Sequence, residues 1–385
     1  MLLDKLNVKR NLNLEGLAKQ MTKKVVHIVY SFGCGGLEKV IANLINHSTQ
    51  YDVEHLVVSL IDDVSMQYQL DFPIKIIVLN KRSGNDLISH KKLYVLLKKL
   101  KPQVINTYNF GTIEYHFTAK MAGVPVRVHS DHGRGGDDPQ GKDWLHNIFR
   151  KIIAQFITEY VVVSNDLFTW ITKTLNIKKC PTSLIHNGVV VKNQVPLKNA
   201  PLNTFVTVGR LDNVKNQKLL INAFAQAVNT GADFDGCILH IVGDGPLHEA
   251  LNGQIHNLNM QNSIKLLGFR SDIEDILSDS DVFVLSSVYE AMPMTILEAM
   301  ANKTPVICTN VGGISKFITE QEAWFVASNN VDELSEKLIT IRTATAARKQ
   351  KVDKAYLLTK DNYSVDNMVK EYMNKYQIQM KKVSR

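Results

Sequence analysis

Residues 25–44 read VVHIVYSFGCGGLEKVIANL, an apolar strand followed by a glycine-rich turn and the start of a helix. The glycines allow the backbone to approach a ligand closely, and the N-terminus of the following helix favours an anion. The turn does not fit the dinucleotide pattern G-x-G-x-x-G counted from Gly33, because Glu38 stands where the last glycine belongs. A tight turn without a ligand explains these residues equally well, so the stretch by itself predicts only a strand joined to a helix.

Short runs rich in valine, isoleucine and leucine alternate with helical segments along the rest of the chain. Continuous apolar strands alternating with helices are typical of parallel sheets covered on both faces. The pattern occurs twice, on either side of a polar, proline-containing stretch at 190–203. We therefore predict two doubly wound, Rossmann-like α/β domains and expect ligands beyond the carboxyl ends of their strands. The predicted strands are 25–30, 55–61, 74–79, 104–108, 126–130, 160–164 and 183–186 in the first domain, and 205–208, 238–242, 264–267, 282–286, 305–309 and 324–326 in the second.

The composition fits a globular protein of two domains. The chain has 385 residues, of which 45% are hydrophobic and 21% charged, enough for each domain to bury its own core. No run approaches the roughly 18 apolar residues of a membrane-spanning helix, and charges interrupt the N-terminus, so we expect no signal peptide. The four cysteines form no CxxC pair, and a cytosolic, reducing location is the default expectation.

The net charge of +8 lies entirely in the N-terminal half. Residues 1–190 contain 24 lysines and arginines against 16 acidic residues, whereas residues 191–385 contain 21 of each. Such an asymmetry suits nucleic acid, an anionic membrane or an acidic substrate. No nucleic-acid-binding motif accompanies the charge, so we expect no nucleic-acid partner.

The segment 90–101 is a candidate membrane-binding helix. Leu93, Leu96, Leu97 and Leu100 recur at helical spacing with five lysines around them. An ordinary Rossmann-type helix with a lysine-rich polar face explains the pattern. Peripheral docking to anionic lipid at the inner face of the cell membrane, worth about 1 kcal/mol for each basic residue near the surface, explains it as well.

In the second half, basic residues and glycines follow the predicted strands. Arg210 ends the first strand and Lys215 comes five residues later. A guanidinium and an ammonium converging on one crevice suit a diphosphate, although such a pair by itself is more often part of a solvated loop. Glycine-rich turns follow two further strands, one containing Gly243 and the other leading to Arg270, although glycine after a strand is also common turn chemistry.

The segment EAMPMTILE, which begins at Glu290 and ends at Glu298, follows the next strand. Pro293 suits the first turn of a helix, and free N–H groups near Met294 and Thr295 suit phosphate oxygens. Two carboxylates beside a phosphate site are expected only if they face neutral hydroxyls, which points to sugar and ribose recognition. Acids in the first turn of an ordinary helix are the alternative interpretation.

The ordered motifs GRL-x3-KN, VGDGPL, LGFR and E-x7-E resemble glycosyltransferase family 4, whose members have the two-domain GT-B architecture. The Gly-Gly-x-Glu loop at 35–38, the sequence IHNGV at 185–189 and the ending from Tyr363 also match, so the resemblance covers residues 24–377. The segment at 127–141 is similar to that of bacterial transferases of exopolysaccharide biosynthesis. The resemblance implies two Rossmann-like domains facing each other across a cleft, with a last helix that crosses back to the first domain. The implied ranges are an extension at 1–21, a first, acceptor-side domain at 22–190, a nucleotide-sugar domain at 200–362 and the returning helix at 363–385.

The resemblance also implies a role for each matched residue. It places a nucleotide-diphosphate-sugar on the second domain, with a UDP-sugar as the first choice of donor. A glycan or lipid-linked acceptor would bind on the first domain. Arg210 and Lys215 would bind the diphosphate with Gly35, Gly36, Gly243, Met294 and Thr295; Glu298 would bind the ribose; Arg270 would meet the base; and Glu290 and His132 would contact the transferred sugar. For His129 we favour a satisfied polar residue. Catalytic roles are thus assigned to Glu290, His132, Arg210 and Lys215.

The family's chemistry would be a retaining transfer by front-side attack, in which the leaving phosphate takes the acceptor proton and no residue acts as nucleophile. Ala291 and Val190 depart from the family pattern, where glycine and aspartate are usual. We expect neither a metal nor another cofactor. Asp279 and Asp281 spell the DxD motif of metal-dependent transferases of another fold, but they directly precede a strand and therefore lie at the wrong end of the sheet. A nucleotide-sugar epimerase of the same fold is the alternative function.

Overall fold

The computed structural model describes residues 23–84, 86–135, 138, 140–193, 195–197, 202–231 and 234–383. The predicted extension at 1–21 lies outside these residues. The thirteen predicted strands are present, each within two residues of its predicted ends. The first domain contains β1 (Lys23–Val29), β2 (Val53–Ser59), β3 (Lys75–Val78), β4 (Val104–Tyr108), β5 (Val126–Asp131), β6 (Glu159–Val162) and β7 (Thr182–Leu184); the second contains β8 (Thr204–Val208), β9 (Ile238–Val242), β10 (Ile264–Gly268), β11 (Val282–Leu285), β12 (Val306–Thr309) and β13 (Trp324–Val326).

The strands form two parallel sheets. Their orders are β3-β2-β1-β4-β5-β6-β7 and β10-β9-β8-β11-β12-β13. In both sheets the order reverses beside the first strand of the domain, which creates a crevice at the carboxyl ends of β1 and β8. The predicted fold of two doubly wound domains is confirmed.

Helices cover both faces of each sheet, as the apolar strands require. Polar caps fix several helix starts: the side chain of Asp143, for example, accepts hydrogen bonds from the backbone N–H groups of Leu145 and His146 at 2.9 and 3.1 Å. The helices are α1 (Gly36–Asn46), α2 (Leu87–Leu100), α3 (Tyr115–Met121), α4 (Trp144–Ile153), α5 (Asn165–Thr169), α6 (Gln217–Asn229), α7 (His248–Asn257), α8 (Ile273–Asp279), α9 (Met294–Ala301), α10 (Val331–Thr343), α11 (Thr345–Asn362) and α12 (Val365–Val383).

The last helix returns to the first domain, as the family resemblance implied. On α12, the hydroxyl of Tyr376 accepts a hydrogen bond from Asn106 of β4 at 3.0 Å, and Gln379 donates to Glu159 of β6 at 2.5 Å. Pro293 departs from its predicted position. With an extended backbone (ψ 125°) it is the residue before α9 rather than part of the first turn.

Candidate functional site

A cavity of about 450 Å³ lies between the two domains, beyond the carboxyl ends of the sheets. Loops after β4 and β5 line it from the first domain, and loops after β8 and β11 line it from the second. Four of the predicted site residues meet here: His132 from one side, and Arg210, Lys215 and Glu290 from the other.

Lys215 and Glu290 form an ion pair inside this cavity. The Lys215 Nζ lies 2.5 Å from the Glu290 Oε1, and the hydroxyl of Ser287 donates to the same oxygen at 2.7 Å. Asp212 fixes the loop that carries the lysine, because its Oδ1 accepts from the backbone N–H of Lys215 at 3.0 Å. Lys215 therefore balances the charge of Glu290, a partner that the sequence did not indicate; contact of Glu290 with a sugar stays a prediction.

Asp212 holds the guanidinium of Arg210, although most of the arginine side chain is exposed. Its Nε donates to the Asp212 Oδ2 at 2.6 Å, and its side chain is 68% exposed. Asp212 thus orients both cationic groups, through a side-chain contact to Arg210 and a backbone contact to Lys215. The arginine and the lysine thus both line the cavity, although their spacing alone favoured a solvated loop.

A second lysine–glutamate pair bridges the domains. Lys39 of α1 lies 2.6 Å from Glu298 of α9. The start of α1 also meets the start of α9, because a Cβ placed on Gly36 would lie 3.6 Å from the Cγ of Met294. Two helix N-termini, each with unpaired N–H groups and a positive dipole end, thus face each other beside Lys39. No sequence pattern indicated a role for Lys39, because its partner is more than 250 residues away.

His132 lines the cavity as a neutral imidazole. Burial lowers the pKa of His132 to about 4, against the opposing effect of Asp131. Its backbone N–H donates to Asn109 at 2.8 Å, while its Nε2 is buried without a hydrogen-bond partner of good geometry in the described part of the chain. A neutral ring suits a hydrogen bond to an uncharged hydroxyl better than it suits contact with a phosphate.

Comparisons with known proteins identify the family of this chain. The model of glycosyltransferase family 4 matches residues 34–193, and that of the group 1 glycosyl transferases matches residues 191–357. The chain is 32% identical over 277 residues to the UDP-Gal:alpha-D-GlcNAc-diphosphoundecaprenol alpha-1,3-galactosyltransferase of Escherichia coli, covering 66% of this chain and 70% of that protein. The chain is a family 4 glycosyltransferase.

Two further similarities extend over most of the glycosyltransferase. It is 26% identical to the N-acetylgalactosamine-N,N'-diacetylbacillosaminyl-diphospho-undecaprenol 4-alpha-N-acetylgalactosaminyltransferase of Campylobacter jejuni, over 86% of this chain and 94% of that one. The crystal structure of Anabaena HepE in complex with UDP and glucose superposes with a TM-score of 0.76 at 18% identity, covering 92% of this chain and all of that one. At this identity the superposition establishes the GT-B fold.

Seven of the ten predicted donor-binding residues of the glycosyltransferase lie outside the cavity lining: Gly35, Gly36, Gly243, Arg270, Met294, Thr295 and Glu298. Gly243 has a structural reason to be glycine: its φ is 133°, and a Cβ there would lie 2.1 Å from the carbonyl oxygen of Gly209. Arg270 is 44% exposed and pairs with Asp272, its Nε donating at 2.8 Å. Gly35 is the residue before α1, and a Cβ on it would meet the carboxylate of Glu38. Their contacts with a donor stay predictions.

Arg134 is a cavity residue to which the sequence assigned no role. Its guanidinium pairs with Asp166 at 2.7 Å and lies 5.5 Å from the ring centroid of Tyr289, which belongs to the second domain. The hydroxyl of Tyr289 contacts the same aspartate at 3.3 Å. This contact links the two domains next to Glu290. In the sequence, only the segment HSDHGR at 129–134 pointed to the loop that contains Arg134.

The loop that carries His132 and Arg134 rests on a buried ion pair. Arg150, 1% exposed, lies 2.6 Å from Asp131 and donates to the carbonyl of Arg134 at 2.7 Å. Burial raises the pKa of Asp131, but Arg150 and His129 outweigh it and lower the value to about 2. His129 is buried in β5 and bonded to Thr107 at 2.6 Å. Its Nε2 lies 3.3 Å from the Asp131 Oδ1 but has no hydrogen bond of good geometry among the described residues, so the expectation of a fully satisfied side chain is not met.

The DxD motif lies where the sequence placed it, at a turn from α8 into β11. Asp281 accepts hydrogen bonds from the backbone N–H groups of Asn203 and Thr204 at 2.8 and 2.9 Å. Its carboxylate holds the amino end of the second sheet, away from the cavity. Within the described ranges no three His, Cys, Asp or Glu side chains cluster in a way that suits a metal ion.

Proposed function

We propose that this glycosyltransferase moves a hexose-type sugar, with retention and without a metal, from a UDP-sugar to a lipid-linked or surface-polysaccharide acceptor. The observation that carries the proposal is the cavity in which Arg210 and Lys215 meet Glu290 and His132 across the cleft. Cations suit a departing diphosphate, whereas a paired carboxylate and a neutral imidazole suit a sugar.

The donor assignment rests on positive charge around the cleft. Lys39, Lys215 and Arg210 surround it, and the starts of α1 and α9 add two helix dipoles. The names of two similar proteins point the same way: the E. coli relative is named for UDP-Gal, and the solved Anabaena protein holds UDP and glucose.

The engagement of the carboxylates supports front-side attack. Retaining hydrolysis by two carboxylates uses one as the nucleophile and the other as the acid/base, with the two groups about 5–5.5 Å apart. Among the residues that line the described cavity, Glu290 pairs with Lys215, Asp212 pairs with Arg210, and Asp138 accepts from the backbone N–H groups of Lys142 and Asp143. The protein then acts by holding donor and acceptor together and by stabilising the charge on the leaving diphosphate.

The acceptor assignment rests on the names of similar proteins. The E. coli and C. jejuni relatives are named for acceptors linked to undecaprenyl diphosphate, and both names describe alpha-linked products. In this chain the acceptor side of the cavity would be formed by Phe110, Arg134 and His146 of the first domain. The named relatives are transferases, which favours transfer over the alternative of an epimerase.

A thermal-shift screen against UDP-, GDP-, ADP- and CMP-sugars tests the donor. A donor at 100 times its Kd stabilises the folded protein by about 2.7 kcal/mol, and we expect this only with UDP-sugars. Glu298→Ala should reduce the shift, and an equal shift in that variant would remove the ribose assignment. NMR of the product should give the anomeric configuration of the donor. Conversion of the donor into an epimer without any acceptor would replace the transferase proposal.

A further inference from the structure

The exposed apolar side chains of this protein are concentrated on one layer of helices. Of the eighteen large hydrophobic side chains exposed among the described residues, four lie on α2, two on α3 and four on α4. Contiguous exposed apolar surface of this kind marks an interaction site. No helix in the described ranges is both long and apolar enough to cross a bilayer.

Helix α4 carries the most marked part of this surface. Trp144, Leu145, Ile148 and Ile152 are 65, 58, 45 and 52% exposed, and their spacing places them on one face. The opposite face is anchored in the protein through Arg150 and Ile153, which are 1 and 7% exposed. The outward face is therefore fixed, and it is apolar.

Helices α2 and α3 continue the same layer. Ser89 of α2 bonds to Tyr115 of α3 at 2.7 Å, and the ring of Phe117 packs edge-on against Phe156, just beyond α4, with centroids 5.3 Å apart. Helix α3 exposes Phe117 and Met121, at 49 and 59%. The buried residues Leu93 and Leu97 fix α2 against the core. The leucines that suggested a membrane helix from the sequence thus face inward.

The charges on this layer are all of one sign. None of the three helices contains an aspartate or glutamate, whereas Lys91, Lys98, Lys99, Lys120 and Lys151 are exposed on them. The acids at the helix starts are engaged: Asp86 and Asp143 accept backbone hydrogen bonds, and Glu114 lies 3.7 Å from His90.

We propose that the α2–α3–α4 layer docks on an anionic lipid bilayer, with the exposed face of α4 in the headgroup region and the lysines on the lipid charges. Apolar side chains with surrounding cations and no acids match such a surface. A two-fold contact with a second copy would place the same cations against each other. Because His146 of α4 lines the cavity, docking brings the acceptor side of the cavity to the membrane. The inference goes beyond the transfer reaction, since docking requires neither donor nor acceptor.

Trp144 provides a direct measurement. The other tryptophans, Trp170 and Trp324, are 4 and 9% exposed, so a lipid-dependent change in emission reports on Trp144. Vesicles of phosphatidylcholine with phosphatidylglycerol should shift the emission to the blue, and brominated lipid should quench it. Trp144→Phe should lose the shift and still co-sediment. Unchanged emission of the wild-type protein with anionic vesicles would overturn the proposal.

Matched variants separate this layer from the rest of the surface. Ile148→Ser/Ile152→Ser should weaken co-sedimentation on the order of ten-fold or more, whereas Leu357→Ser/Ile378→Ser, at equally exposed positions on α11 and α12, should bind like the wild type.

The cations are tested in the same way. Lys98→Glu/Lys99→Glu/Lys151→Glu should weaken binding about 100-fold, at about five-fold for each cation, and Lys349→Glu/Lys360→Glu/Lys370→Glu should not. Lys92 is left intact because its Nζ donates to the carbonyl of Leu79 at 2.7 Å. Wild-type binding by the α4 and lysine variants would overturn the proposal, as would a wild-type dimer that these variants dissociate.

Discussion

The two domains share one topology but differ in what fills their interiors. The first contains buried imidazoles: His27 lies 2.9 Å from His55 and 2.8 Å from the hydroxyl of Tyr108. The interior of the second domain contains a cluster of aromatic rings instead. The ring centroids of Phe205, Phe224 and Phe234 lie 5.2 to 5.7 Å apart. The interior of the first domain thus holds a pair of imidazoles that can titrate below neutral pH, whereas the Phe205–Phe224–Phe234 cluster of the second contains no titratable group. The same fold therefore predicts two different responses to pH and to substitution.

The largest expected effect is on catalysis, through the second domain. Lys215→Ala removes a cation from the leaving diphosphate and should lower kcat by about 100- to 1,000-fold, the range for a lost group that stabilises transition-state charge. Lys218→Ala, an exposed lysine three residues later, is the control and should keep wild-type turnover. Steady-state kinetics with the donor found in the thermal-shift screen measures both, and similar turnover in the two variants would remove Lys215 from the mechanism.

The next effect is on the stability of the first domain in acid. Burial lowers the pKa of His55 to about 4 and holds that of His27 well below its ordinary value, with His55 adding to the effect on His27. The unfolded chain binds these protons near pH 6.5 and the folded chain does not, so stability is full above that pH and falls from pH 6.5 towards pH 4. For His55 the loss is on the order of 3 kcal/mol.

Denaturant unfolding at pH 7 and pH 5 measures this loss. His55→Gln should reduce the dependence on pH, because it keeps a polar side chain and removes one of the buried imidazoles that titrate. His256→Gln, an exposed histidine of the second domain, should leave the slope unchanged. Equal slopes in wild type and His55→Gln would contradict the assignment of the acid sensitivity to the first domain.

A backbone contact sets the third effect, in the second domain. Gly243→Ala places a Cβ against the carbonyl of Gly209 at a φ of 133°, and should lower the free energy of unfolding by about 1–3 kcal/mol. At Gly253, in α7, a Cβ meets open space, and alanine there should be neutral or stabilising by up to about 1 kcal/mol. Chemical unfolding of both variants checks the contrast, and a Gly243→Ala protein as stable as the wild type would refute it.

The smallest expected effect lies at the boundary between the domains. Lys39→Ala should weaken UDP-sugar binding about ten-fold, since it removes one interdomain ion pair and one cation, a change of about 1.4 kcal/mol. Lys39→Ala and Glu298→Ala should combine non-additively, because each removes the same pair. Isothermal calorimetry on the two variants and their double mutant measures the coupling. Additive losses would mean that the pair does not contribute to donor binding.

Local patterns in the sequence predicted the elements but not their partners. Apolar runs between glycines and polar turns identified the strands, because a buried parallel strand must be apolar along its whole length. The spacing of Arg210 and Lys215 by itself favoured a solvated loop, and only the ordered family motifs assigned both residues to one site; both line the cavity. The ion pairs of Glu290 and Glu298 were missed, because their lysines come from distant parts of the chain. The charge balance of the site therefore required the assembled fold.

The lysine-rich segment teaches a similar point about surfaces. Periodicity correctly gave a helix over most of 90–101, but it did not reveal that Leu93 and Leu97 are covered by the core. The apolar residues that remain exposed belong largely to neighbouring segments, such as Trp144 and Ile148 on α4. Because three separate segments of the chain form this surface, the sequence of a single segment does not reveal it.

The chain passes between the domains twice, and the two passages lie side by side. Val189, at the first passage, donates to the carbonyl of Tyr363 at 2.9 Å and accepts from Val365 at 2.8 Å, at the second. Gly188 is pressed against the same segment, where a Cβ would lie 2.7 Å from the carbonyl of Ser364. Two connecting segments that are hydrogen-bonded to each other form a hinge, about which the two domains can rotate but along which they cannot slide. Opening of the cleft then changes the distance between Lys39 and Glu298, while the passages at 188–189 and 363–365 stay in register.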